Sequence, residues 1–180
     1  MALHFITGAA GAGKTTVSTE LSLRGYEIHD TDDPHHTGIA GWHERSTGLY
    51  VAGFNELEMT EDNLNTYIWA LTPAALANFS ERAKTDTIYL SGRLREADNV
   101  LAACKNIAFL TLSGEVIRER LTKRAQIPGE VTWGREEWQI ARSIEANIRV
   151  EQEYRDLGAV MIDADRPIQL IADDILAATL

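Results

Sequence analysis

The sequence predicts an α/β domain in which helices cover a parallel sheet, and three observations lead there. Apolar runs rich in β-branched or aromatic residues recur at 3–7, 26–29, 87–90, 107–112 and 159–162. Segments of helical period lie between them, and that alternation is the pattern of repeated strand-helix-strand units. The 180 residues, 44% of them hydrophobic, suffice for one buried core and are few for two full-sized domains. One domain spanning 1–180 is therefore expected.

Taken in order, the first run, "LHFIT", leads into "GAAGAGKTT" and then the helical "KTTVSTELSLRG". The second, "YEIH", is followed by the acidic "DTDDPHH". A long excursion comes next, reading as helical from about Thr60 to Lys84. Pro73 in "LTPAAL" must break it by clashing with the preceding turn, with Thr72 capping a fresh helix. The third run, "TIYL", ends in "SGRLRE". After the fourth, "SGEVIRERLTKRAQ" reads as a helix with Val116, Ile117 and Leu121 toward the core. "AQIPGEVTWG" then interrupts two helical segments with a proline and two glycines, as a lid over about 125–135 would. In the last helix Asp165 is placed to cap, Pro167 sits in the first turn, and Ile168, Ile171, Ile175 and Leu176 form one stripe.

Composition excludes several classes. A net charge of -10 opposes binding along a nucleic-acid backbone, so an anionic ligand needs a local basic pocket. The single cysteine, Cys104, has no partner for a disulfide or thiolate metal site, reads as a buried thiol and suits a reducing cytoplasm. The opening "MALHFITGAA" does not resemble a secretory signal, and no apolar run is long enough to cross a bilayer. A small-molecule partner is expected, with neither nucleic acid nor membrane. These features do not specify an oligomeric state.

Chemistry enters with the glycine-rich loop. Gly8, Gly13, Lys14 and Thr15 fit G-x-x-x-x-G-K-[ST] between a strand and a helix, the context this motif requires. Glycines let the backbone curl around a pyrophosphate so that successive N–H groups and the helix N-terminus face its oxygens. Lys14 adds a charge near the transferred phosphate, and the Thr15 hydroxyl is the expected Mg²⁺ ligand. A turn that merely caps a helix would leave Lys14 unexplained.

The fuller form, Gly8, Gly11, Ala12, Gly13, Lys14, Thr15 and Thr16, resembles the G-x-x-G-x-G-K-[ST]-T loop of small P-loop kinases, the nucleoside monophosphate, shikimate and gluconate kinase group. The resemblance implies a five-stranded parallel sheet, ATP and Mg²⁺ as cofactors, an acceptor region after the second strand (about 31–84) and an arginine-bearing lid. Asp30 and Asp32 match the D-x-D at that place in shikimate kinases. By that likeness one carboxylate holds a water of the Mg²⁺ shell and the other takes the acceptor proton. Asp30 is assigned to the metal and Asp32 to the acceptor. Crowding Asp30, Asp32 and Asp33 raises their pKa values unless a cation relieves them, although aspartates also serve as ordinary turn residues. His29, His35, His36 and His43 invite a zinc or iron reading, but their spacing fits no ligand pattern and solvated loop histidines are the simpler account.

Arg120 and Arg124 lie one turn apart with no carboxylate in helical reach, so an anion between them would relieve their repulsion. The family likeness implies that they neutralise the transferred phosphoryl or stack on adenine, with Arg135 and Arg142 in reserve. A solvated helix face is the alternative. Gly92 permits close backbone approach, and Arg93 and Arg45 are candidates for an acidic group on the acceptor or for plain surface ion pairs. Trp42 and Trp69 would stack on an aromatic acceptor or pack in the core. The "VMIDADRP" stretch resembles the loop that contacts adenine in these kinases, which would place Asp163 and Pro167 there.

Ser91 stands where motor and switch ATPases carry an acidic residue at the end of the third strand, and no N-K-x-D is present. The expected function is transfer of the ATP γ-phosphate to a hydroxyl of a small molecule such as a nucleoside or polar metabolite. A nucleoside monophosphate kinase and an ATP-binding module without transfer are the rival readings. A nucleic-acid end kinase is disfavoured by the acidic balance.

Overall fold

The computed structural model describes residues 1–32, 38–51, 60, 62–94, 98–127 and 133–179. Strands β1 (Ala2–Gly8), β2 (Glu27–Asp30), β5 (Thr87–Ser91), β6 (Asn106–Thr111) and β7 (Val160–Asp163) form one five-stranded sheet in the order β2-β5-β1-β6-β7. Every pairing within it is parallel. Its faces are covered by α1 (Lys14–Leu23), α3 (Pro73–Arg82), α4 (Asp98–Ala103), α5 (Gly114–Ala125), α6 (Glu137–Asp156) and α7 (Ile168–Thr179). All five strand runs expected from the sequence are strands.

Alternation along the buried β1 feeds two cores. Leu3 and Phe5 join Phe79, Ile88, Leu90, Val100, Phe109 and Tyr154 on one face. Ile6 joins Val17, Leu21, Ile117, Leu121, Ile171 and Ile175 on the other. The stripe read on the last helix is buried at Ile171 and Ile175, with Ile168 and Leu176 partly covered. That helix starts after Pro167, whose carbonyl accepts from Leu170 and Ile171. Asp165 does not cap it; its carboxylate accepts from Arg120.

The excursion corrects the sequence reading. Only Asn63–Thr66 (α2) and Pro73–Arg82 are helical, while β4 (Tyr67–Leu71) pairs antiparallel with β3 (Ala40–Glu44) as a separate two-stranded sheet. "YIWAL" is a run of aromatic and β-branched residues, and an antiparallel partner with Trp42 opposite Trp69 decides in favour of a strand. Thr72 does cap α3, its hydroxyl accepting from Ala75 N at 3.2 Å with Pro73 in the first turn. Of the expected lid, 128–132 lie outside the described residues, as do Asp33, His35 and His36. Cys104 is partly buried, and burial pushes its thiol up to about 12. Among the described residues no helix is long and apolar enough to cross a membrane.

His4 carries a testable consequence of this packing. It is 1% exposed, stacks on Tyr89 with ring centroids 5.1 Å apart, and its Nδ1 has no hydrogen-bond partner. Burial, with the charges of Lys105 and the N-terminus, lowers its pKa to about 4. The unfolded chain therefore binds this proton first, so stability from this group is full above about pH 6.5 and is lost as pH falls toward about 4. Chemical denaturation of wild type and His4→Phe across that window should show the wild type losing about 3 kcal/mol more than the variant.

Candidate active site

Lys14 follows directly from the curl of the loop. Gly11 and Gly13 take φ of 83° and 88°, left-handed values that glycine adopts without strain. Gly13 is the N-cap of α1, so the helix begins at Lys14. The Lys14 side chain turns back into the loop, with Nζ 3.3 Å from Gly8 O and 3.2 Å from Ala9 O, and it is 7% exposed. Its third neighbour is Asp32 Oδ2 at 3.4 Å. Ala12 is buried beneath the loop, whereas Thr15 and Thr16 are exposed at the helix start.

Both expected carboxylates reach this loop from the end of β2. Thr15 Oγ1 donates to Asp30 Oδ2 at 2.9 Å, and Asp30 Oδ1 accepts from Asp32 N at 2.9 Å. Asp32 Oδ1 accepts from Arg93 N at 2.7 Å. Burial raises the Asp30 pKa, opposed by the bonds from Thr15 and Asp32 N and by Lys14, and reinforced by the Asp32 charge. The turn is fastened to β5 through Ser91 O, which accepts from Thr31 N at 2.7 Å and Thr31 Oγ1 at 3.1 Å. That contact demands Gly92: a β-carbon there would lie 1.9 Å from Thr31 Oγ1 and 2.9 Å from Asp32 Oδ1.

Arg93 lies beside this turn. Burial lowers the proton affinity of its guanidinium, Asp32 opposes that, and Arg142 and Arg149 of α6 add to it. Of these, Arg149 is paired with Glu153 at 2.8 Å. Arg45 lies one residue past β3, on the two-stranded sheet, with its amide bonded to Thr66 O at 2.9 Å.

The arginines of α5 divide. Arg120 bridges the loop and the segment after β7, with Nη1 3.4 Å from Gly11 O and Nη2 3.0 Å from Ala164 O and 3.2 Å from Asp165 Oδ1. The carboxylate missing within helical reach is thus supplied across the fold. Asp163 shapes that segment by accepting from Asp165 N at 2.9 Å. Arg124 instead donates to Trp133 O at 2.7 Å and anchors the return of the interrupted stretch onto α5.

The remaining candidates are held structurally. Trp42 and Trp69 meet edge to face, 5.5 Å apart, and both are half-buried. His29 is bonded to Glu27 at 2.7 Å and lies against Phe79, while His43 Nδ1 is 3.1 Å from Gly48 O. Among the described residues no three His, Cys, Asp or Glu side chains group as a metal cage. Sequence reasoning missed the tie from Trp69 Nε1 to Thr31 O, at 2.7 Å, whose local signal was the strand character of "YIWAL".

The family profile described as an AAA domain matches residues 5–148. No curated protein matches the sequence. Among solved structures, a gluconokinase from Sinorhizobium meliloti 1021 is similar at 19% identity and TM-score 0.53, covering 99% of this chain and 91% of that one. A shikimate kinase from Aquifex aeolicus vf5 is similar at 18% identity and TM-score 0.56, over 97% and 94% of the two chains. One from Acinetobacter baumannii, in complex with shikimate, is 18% identical at TM-score 0.57, over 98% and 91%. The chain has the fold of the small P-loop kinases.

Gly92→Ala tests the packing of the turn on β5. The added methyl should force Thr31 and Asp32 aside and lower unfolding free energy by about 1–3 kcal/mol, measured by urea denaturation.

Proposed function

From the premise that this chain belongs to the AAA domain family, we propose that it is a small-molecule kinase that moves the γ-phosphate of ATP to an acceptor hydroxyl. The observation that carries the reading is the meeting of two half-sites. Lys14 and Thr15 come from the phosphate loop, Asp32 and Asp30 from the end of β2, and they touch at 3.4 Å and 2.9 Å. A phosphate-binding loop alone would have no use for a second carboxylate beside its lysine.

Asp32 is the base in this scheme. The acceptor oxygen attacks the γ-phosphorus, the bond to the β-bridging oxygen breaks, ADP leaves, and the hydroxyl proton passes to Asp32 Oδ2. Oδ1 stays bonded to Arg93 N, which fixes the direction of the other oxygen. Lys14 exchanges its loop carbonyls and Asp32 for phosphate oxygens, and the loop amides hold the remaining charge. Arg120, between the loop and the segment at Ala164 and Asp165, neutralises the nucleotide from the other flank. Arg124 supports the lid instead of the transfer.

Thr15 and Asp30 fit Mg²⁺: both are hard oxygen donors, and a buried carboxylate is relieved by a cation. When bound, magnesium would screen the triphosphate charge. Because Asp32 supplies a base, a hydroxyl acceptor is favoured, and Arg93, bonded through its amide to that carboxylate, fits an acidic group carried by the acceptor. The same arginine favours the second reading, a nucleoside monophosphate acceptor. The cytoplasm is the compartment this chemistry suits.

An ADP-release screen over nucleosides, monophosphates, sugar acids and shikimate-like acids decides between these readings. Release should require an added acceptor; ATP binding with no acceptor-dependent release would leave a binding module. Lys14→Ala should abolish the thermal shift that ADP with Mg²⁺ produces in the wild type. With the acceptor in hand, Asp32→Asn should cost about 10²–10⁴-fold in kcat with nucleotide affinity kept. Arg93→Met should raise the KM of an acidic acceptor by about tenfold or more. An unchanged KM would remove Arg93 from the acceptor site.

A further inference from the structure

The middle of the Asp30-Thr31-Asp32 turn is held by a side chain from outside the main sheet. Trp69, on β4, donates its indole Nε1–H to Thr31 O across 2.7 Å. Thr31 is 1% exposed, so its carbonyl has little access to water. The N–H of the same peptide unit, on Asp32, donates to Asp30 Oδ1 at 2.9 Å. Carbonyl and amide of one peptide unit turn together, so this plane is pinned at both ends.

Asp30 is aimed through that plane, and Asp32 through the separate bond from Arg93 N. With Oδ1 engaged by Asp32 N, Asp30 presents Oδ2 to Thr15 at 2.9 Å. With Oδ1 engaged by Arg93 N, Asp32 presents Oδ2 toward Lys14 at 3.4 Å. The ring of Trp69 is itself immobilised by Trp42 and by packing against the Phe5 and Phe79 core. Its N–H is therefore aimed by a rigid ring instead of a flexible stem.

We propose that Trp69 is a positioning residue for Asp30, coupling the β3–β4 sheet to the metal side of the phosphate site through the Thr31 carbonyl. The inference rests on the nucleotide and magnesium reading above. Trp69 touches no reacting atom. Without its N–H, a buried carbonyl is left unpaired, and rotating the peptide plane to relieve it draws Asp32 N off Asp30 Oδ1. The bonds from Lys14 to Gly8 and Ala9 do not pass through this plane, so metal-free phosphate binding is untouched.

Isothermal titration with ADP, with and without Mg²⁺, on wild type and Trp69→Phe tests this, since phenylalanine keeps an aromatic ring and deletes the donor. Metal-free affinity should agree within about twofold, while the gain that magnesium adds in the wild type should shrink by about tenfold. A full magnesium gain in Trp69→Phe overturns the proposal. So does an equal loss of metal-free and metal-assisted affinity, which is the mark of general damage. If wild type binds no ADP in either condition, the nucleotide reading falls and takes this inference with it. Should Trp69→Phe not fold, the wild-type Trp69 indole ¹⁵N resonance serves instead. It should move with ADP and Mg²⁺ and hold still with ADP alone; no magnesium-dependent movement overturns the proposal.

Discussion

A buried ammonium organises this molecule. Lys14 is 7% exposed, and a cation that far out of water must be surrounded by oxygen. Two loop carbonyls and one carboxylate supply it, at 3.3, 3.2 and 3.4 Å. Bringing Gly8 and Ala9 carbonyls to one point requires the loop to curl, which the left-handed Gly11 and Gly13 allow. Supplying Asp32 requires the end of β2 to reach the same point. A phosphate is a stronger partner than either, so these contacts are ones that an anion can replace.

Sheet order determines how that reach is achieved. β5 lies between β1 and β2, so the β2 end must pass over the end of β5 to meet the loop. Ser91 O fastens it there, and Gly92 makes room, since any side chain would collide with Thr31. The crossing sits at the carboxyl ends of the strands, where open α/β sheets leave a crevice. The two-stranded sheet closes the turn from outside through Trp69. Arg120 ties the opposite flank of the loop to Ala164 and Asp165.

The acidic groups of the site have a different origin from those of motor and switch ATPases. Ser91 ends β5 without a carboxylate, and its carbonyl serves Thr31 instead. Negative charge comes from β2, one strand further out. That placement puts Asp30 and Asp32 against Thr15 and Lys14 of the loop.

Where the deciding interactions are local, they were legible. The loop from Gly8 to Thr16 was readable because strand, glycines, lysine and helix start are consecutive, and Asp30 and Asp32 because a strand end precedes them. The α7 stripe repeats at helical spacing and needed no partner to be seen. By contrast, 67–71 form a strand only because 40–44 lie alongside, and a short aromatic run does not by itself choose between helix and strand. Arg120 found its carboxylate on Asp165 and Arg124 its acceptor on Trp133, neither within one helical turn. By itself, then, the sequence determined the phosphate loop, the sheet and the acidic turn. Tertiary structure alone decided which oxygen of Asp32 faces Lys14, because the hydrogen bond from Arg93 N, distant along the chain, sets an orientation that spacing cannot encode.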